Sequence, residues 1–148
     1  MTARLILIGA GAAVALLIAA ILPRLADGDR FSAAQSLLAD GRGNEAALLF
    51  DDPVWRGAAE YRAGRYRRAA EAFGEAEDAM ALYNLGNAQA KLGLWAEARR
   101  AYQAALRLQP DHEDALHNLE LVEAAKTLAD QIAEADRKVH SAQSLTGR

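Results

Sequence analysis

The sequence predicts an all-α protein: a short solenoid of helical hairpins, preceded by a transmembrane helix and closed by a long capping helix. Three observations lead there. Alanine makes up 36 of 148 residues against only three prolines, a composition that favours helix throughout. Leu5 to Leu22 carries no charged side chain. Glycine, alanine and aromatic positions recur in register along the middle of the chain. The rest of the composition excludes several function classes. Cysteine is absent, which removes disulfides, thiolate metal sites and cysteine nucleophiles. A net charge of −3 and a pI near 5.6 argue against a general nucleic-acid binder.

The first element is the apolar run, assigned with its flanks to residues 1–23. As a helix of 18 residues it spans roughly 27 Å, close to the ~30 Å of a hydrocarbon core. A cleaved signal peptide is the competing reading. Signal sequences carry a shorter apolar run, of about 7–15 residues, and a small-x-small cleavage site. Here the nearest triplet is Arg24-Leu25-Ala26, with a bulky cation where a small residue is wanted, so an anchor is favoured. Arg4 lies on a short positive tail, which stays inside. That places the rest of a single-pass inner-membrane protein in the periplasm. Gly9 and Gly11 after Leu5-Ile-Leu-Ile imitate a dinucleotide-binding turn, but Val14 holds the third glycine position and apolar residues continue to Leu22. Gly9 and Ala13 form a small-xxx-small pair available to another membrane helix.

Residues 24–112 hold the repeats. In 79–112 the fixed points are Leu82, Leu85, Gly86, Gly93, Trp95, Ala98, Tyr102, Ala105 and Pro110. Their spacing resembles the tetratricopeptide repeat, a helix–turn–helix of roughly 34 residues. Gly86 and Ala98 are small where two helices meet, Gly93 supplies a turn with positive φ, and Pro110 stops the second helix. A second copy has Gly57, Gly64, Tyr66, Ala69, Phe73 and Ala76 in the equivalent places. Gly64 precedes Gly93 by 29 residues, so this copy is shortened, and the loss falls in its second helix and the following turn. A degenerate first copy shows Gly41, Ala46 and Phe50.

After the third repeat the pattern restarts with Leu116, Asn118 and Leu119, but Glu120 and Thr127 replace the two glycines. Such a helix packs on the last repeat without turning into another, and it is placed at 113–140, with 141–148 as a flexible tail. Leu121, Ala125, Leu128, Ile132, Ala135 and Val139 recur with 4-3-4-3-4 spacing, an a/d seam. Its first turns fit docking on the repeats. Beyond Leu128 a partner helix, or oligomerisation through this helix, becomes the alternative.

Asp51 to Glu123 resembles, more specifically, the repeat segment of the Bat (aerotolerance-type) proteins. The resemblance rests on Pro53, Trp55, Arg56 and Gly57, on Tyr61-Arg62-Ala63-Gly64-x-Tyr66, on Tyr83-Asn84-x-Gly86-Asn87-Ala88, and on the closing Pro110-Asp-His-Glu-Asp-Ala-Leu-x-Asn118. It implies partnership with von Willebrand A-type domains and a MoxR-type ATPase, supplied here by other chains, in a membrane-associated complex with a scaffolding role. Leu85 stands where that family frequently has a basic residue.

No catalytic or metal constellation is expected, and no cofactor. His112, His117 and His140 have no second ligand at metal spacing, and no histidine is placed to activate Ser32, Ser36, Ser141 or Ser144. The expected site is a partner-binding groove. The resemblance to these repeats implies that their first helices line a concave face, which points to Tyr61, Tyr83, Asn84, Asn87, His117 and Asn118, with Arg62 and Lys91 beside them. Asparagine can pair with both groups of an extended backbone, and tyrosine offers apolar area with a polar tip. The competing role for Asn84 and Asn118 is to cap or bridge neighbouring helices. Tyr83 and His117 stand where a carboxylate clamp needs lysine, so a free C-terminus is not the expected ligand. Arg56, Arg62, Arg65, Arg67 and Arg68, joined by Arg99 and Arg100, form a basic cluster read first as solvated turn, with an acidic protein surface or anionic lipid as the alternatives.

Overall fold

A computed structural model describes residues 27–146, without the side chains of 142 and 144–146. The anchor segment 1–23 and residues 147–148 lie outside the described residues. Seven helices are described: α1 (Asp27–Ala39), α2 (Gly43–Ala46), α3 (Pro53–Arg62), α4 (Tyr66–Phe73), α5 (Ala79–Lys91), α6 (Trp95–Leu108) and α7 (Glu113–Thr146). The chain divides after Ala76 into two compact units. Among the described residues no helix is long and apolar enough to cross a membrane.

One turn is built three times. Gly41, Gly64 and Gly93 all take φ of 73°, and each is followed by the same long-span hydrogen bond. Arg42 N–H donates to Leu37 C=O at 2.8 Å, Arg65 to Glu60 at 2.9 Å and Leu94 to Gln89 at 3.0 Å. This is the Schellman closure of a helix C-terminus, which satisfies carbonyls that the helix itself leaves orphaned. The next helix then starts at a fixed distance, and Ala46, Ala69 and Ala98, five residues beyond each glycine, are completely buried. The weak first copy therefore contains a complete repeat turn.

In the first unit, α2 lasts a single turn. Gly43 stands where later copies have Tyr66 and Trp95, and a Cβ on it would come within 2.7 Å of the Ala59 carbonyl oxygen. The chain beyond α2 returns Phe50 onto α1 and α3, where its ring packs against Phe31 at 5.6 Å and Trp55 at 5.8 Å. Asp52 caps α3, its Oδ1 accepting from the N–H groups of Val54 (2.9 Å) and Trp55 (3.0 Å), with Pro53 at the first helical position. Glu60 is buried at the end of α3 and ion-paired with Arg65. The second helix of this repeat, α4, has 8 residues against 14 in α6, so the shortening falls where the spacing places it. Ala76 follows the end of α4 and lies in a turn, its N–H donating to Phe73 C=O at 3.3 Å. It has left the helix before it could match the fully buried Ala105 of α6.

In the second unit, Asp78 caps α5 through Ala81 N–H at 2.9 Å. The α5 and α6 helices cross at Gly86, where Tyr102 lays its ring against the backbone, and α7 packs on the hairpin through Ala115 and Val122. α7 runs to Thr146, where a tail is expected from 141; neither glycine nor proline interrupts it before Gly147. All eleven residues from Gln131 to Ser141 are exposed, so packing on the repeat accounts only for the first part of the helix.

A methyl group at Gly86 would sit 2.5 Å from the Tyr102 ring, and Tyr102 is only 1% exposed, with its hydroxyl bonded, so the ring has nowhere to swing. Gly86→Ala is expected to destabilise the second unit by about 1–3 kcal/mol. Gly28→Ala, at an exposed helical position with no atom within 4 Å of the new methyl, should be neutral or slightly stabilising. Thermal unfolding of the two variants checks the contrast.

Candidate functional site

The residues expected to line a groove divide between the two units. Tyr61 and Arg62 end α3 in the first, where Tyr61 packs edge-on against Tyr66 at 5.1 Å and Arg62 is exposed. Tyr83, Asn84, Asn87 and Lys91 lie on α5, and His117 and Asn118 on α7, all in the second unit. Within it, helical spacing carries positions 84, 87 and 91 along one side of α5.

Three of those residues are engaged inside the fold. The carboxamide oxygen of Asn87 accepts from the Tyr102 hydroxyl at 2.7 Å and from the Asn118 side-chain amide at 2.9 Å. The same Asn118 amide donates to the Tyr83 hydroxyl at 3.4 Å. The Tyr83 ring also lies 4.6 Å from the His112 imidazole and 6.0 Å from Tyr102. Asn87 is thus the acceptor that ties α5, α6 and α7 together. A buried tyrosine hydroxyl needs such a partner, and Asn118 takes the bridging role that competed with ligand binding. With both lone pairs of its oxygen occupied, the Asn87 amide has only N–H groups left to offer a ligand.

What remains for a partner is a smaller surface. Asn84 is half-buried, and Lys91 and His117 are exposed. Met80, one turn before Asn84, is exposed to 53% and extends the same side of α5. The sequence reading missed Met80 and also the roles of Tyr102 and His112. Spacing of one turn from Asn84 is the signal for Met80. For Tyr102 the signal is the need of a buried hydroxyl for a polar partner. His112 precedes α7, and its Nδ1 accepts from Ala115 N–H at 3.4 Å, a capping use that spacing alone does not reveal.

The basic cluster is partly consumed by the first unit. Arg56 pairs with Glu75 at 2.7 Å, and Arg65 pairs with Glu60 and donates to the Asn44 carbonyl at 3.4 Å. Arg62, Arg67 and Arg68 are exposed. In the second unit Arg100 pairs with Glu97 at 3.1 Å. The exposed arginines therefore form a sparser patch than the sequence count implies. Among the described residues, no group of three or more histidine, aspartate or glutamate side chains is placed to hold a metal ion.

Asn87→Ala strips the shared acceptor from two donors at once, whereas Tyr102→Phe removes one donor and Asn118→Ala removes the other together with its long 3.4 Å bond to Tyr83. Asn87→Ala is expected to lower stability by about 1–3 kcal/mol and each of the others by about 1 kcal/mol. The Tyr102→Phe and Asn118→Ala effects should be non-additive, because both donors share one oxygen. Urea unfolding of the four single and double variants measures the coupling.

Residues 79–112 match the family model described as tetratricopeptide repeat. No match was found among curated proteins. The α5–α6 hairpin, with its glycine crossing, its Schellman turn and its buried alanines, is a tetratricopeptide repeat.

Proposed function

We propose that the chain is a membrane-anchored adaptor that binds other proteins through the exposed side of α5 and the start of α7. The observation that carries this reading is the tetratricopeptide repeat at 79–112, a module that generally mediates protein–protein interaction. The proposed surface combines an exposed apolar chain (Met80), a half-buried amide (Asn84) and a cation (Lys91) on α5 with an imidazole (His117) on α7, chemistry suited to an extended peptide with mixed side chains. The function is binding rather than turnover.

Two finer parts of the proposal rest on the sequence. The uncharged run Leu5–Leu22 supports a single-pass anchor in the inner membrane, with the repeats in the periplasm. The resemblance of Asp51–Glu123 to Bat proteins supports a complex in which von Willebrand A-domain proteins and a MoxR-type ATPase are the partners.

A second reading has an observation of its own. Leu121, Leu128, Ile132 and Val139 are each more than half exposed along α7. A chain built into a larger membrane assembly through its N-terminal and C-terminal helices, with the repeat face idle, would use that stripe.

Photo-crosslinking in the native membrane separates the two. A photoreactive residue at Lys91 or His117 should give adducts with a von Willebrand A-domain protein, and one at the exposed Arg107, a control position, should not. Lys91→Glu with His117→Ala should weaken capture on the order of tenfold without moving the unfolding midpoint. Adducts from Leu128 alone would favour the second reading. Extraction of the chain by alkaline carbonate would contradict the anchor.

A further inference from the structure

The C-terminal part of α7 carries a stripe of exposed aliphatic side chains. α7 has 34 residues and so extends about 51 Å, while its last buried side chain among the described residues is Val122 and its last half-buried one Ala129. From Leu121 onward another side of the helix carries the apolar stripe into water. Leu121, Leu128, Ile132 and Val139 are 53–58% exposed, and they recur with Ala125 and Ala135 at the alternating spacing of a two-helix seam. A lone helix gains only a few tenths of a kcal/mol from each pair such as Lys126–Asp130, so the stripe calls for a cover.

Three observations select the cover. The first is the symmetry of the stripe. Reversed on itself, it sets Leu121 against Val139 of the second copy, Ala125 against Ala135 and Leu128 against Ile132. Large residues then meet large ones and small meet small, with a two-fold axis at Asp130. The second is charge. Glu120 and Glu123 flank the start of the stripe, whereas Arg137 and Lys138, which both lean on Glu134 at 2.8 and 3.5 Å, flank its end. An antiparallel pair sets Arg137 against Glu123 of the other copy and Glu134 against its Lys126. A parallel pair stacks like on like. The third is area. Covering four half-exposed aliphatic side chains and the intervening alanines on both copies buries on the order of 1,000 Å², the lower bound for a specific interface.

We infer that α7 forms an antiparallel homodimer over residues 121–139, which makes the adaptor bivalent. This inference does not depend on the partner chemistry of the repeat face. The cysteine-free chain provides a direct test. Full-length Leu121→Cys and Val139→Cys variants are oxidised in the native membrane, separately and co-expressed. The co-expressed pair should form a covalent dimer on the order of tenfold above either variant alone, because only opposite positions bring the two thiols within bonding reach. Leu128→Asp with Ile132→Asp should turn the detergent-solubilised protein from dimer to monomer with its helical content unchanged. Equal cross-linking of each variant with itself would mean a parallel pair and overturn the inference. Cross-linking to a different protein, or no cross-link with a monomeric mass, would overturn it as well.

Discussion

The second unit depends on a single close approach, the Tyr102 ring lying on the backbone of Gly86. The first unit repeats it with Phe73 on Gly57, where a Cβ would come within 2.7 Å of the ring. In both hairpins the glycine and the ring are sixteen residues apart. Two consequences follow. The helices must cross at a distance that only a residue without a side chain permits, and the connecting turn must return the chain after a fixed number of residues. The glycine with φ of 73° and its long-span hydrogen bond meet the second requirement in all three hairpins. Where the crossing glycine becomes Ala34, in the first copy, the second helix shrinks to one turn and Phe50 arrives from the chain beyond it.

Tyrosine at this crossing brings a hydroxyl into the interior, and the hydroxyl in turn organises the polar residues around it. Phe73 makes no such demand. Tyr102 needs an acceptor, Asn87 supplies it, and the same oxygen recruits Asn118 from α7. The capping helix is therefore held by a shared hydrogen-bond acceptor as well as by Ala115 and Val122. This arrangement divides the polar residues of the repeat into two classes. Asn87 and Asn118 hold the fold, and Asn84, Lys91 and His117 stay clear of that network, the positions proposed to meet a partner. Changes in the first class alter stability before binding, and those in the second leave the hairpin intact.

Much of this was legible in the sequence. Glycine, alanine and aromatic spacing placed the three hairpins, because each of those residue types answers a steric demand that few others meet. The shortening of the second repeat was equally visible, and α4 carries it. The site was less legible. Asparagine at helical spacing is compatible with a ligand or with a neighbouring helix, and the choice turns on whether a buried donor lies within 3 Å. Ala76 matched its template position while the helix containing that position had already ended at Phe73. Arginine counts overstated the basic patch, since Arg56 and Arg65 are taken up by Glu75 and Glu60. α7 runs past the expected end at 140 for a simple reason: the chain keeps helix-compatible residues up to Gly147.

The central claim is that the repeat works as a holding surface made of the exposed side of α5 and the first turns of α7. Hydroxyl-radical footprinting of the full chain tests it most directly, comparing native membranes with the purified protein in detergent. Met80 and His117 are exposed and chemically reactive, and the claim predicts that both are oxidised several-fold more slowly in the native membrane. Leu108, exposed near the end of α6, should react equally in both. Equal oxidation of Met80 and His117 in the two preparations would contradict the claim.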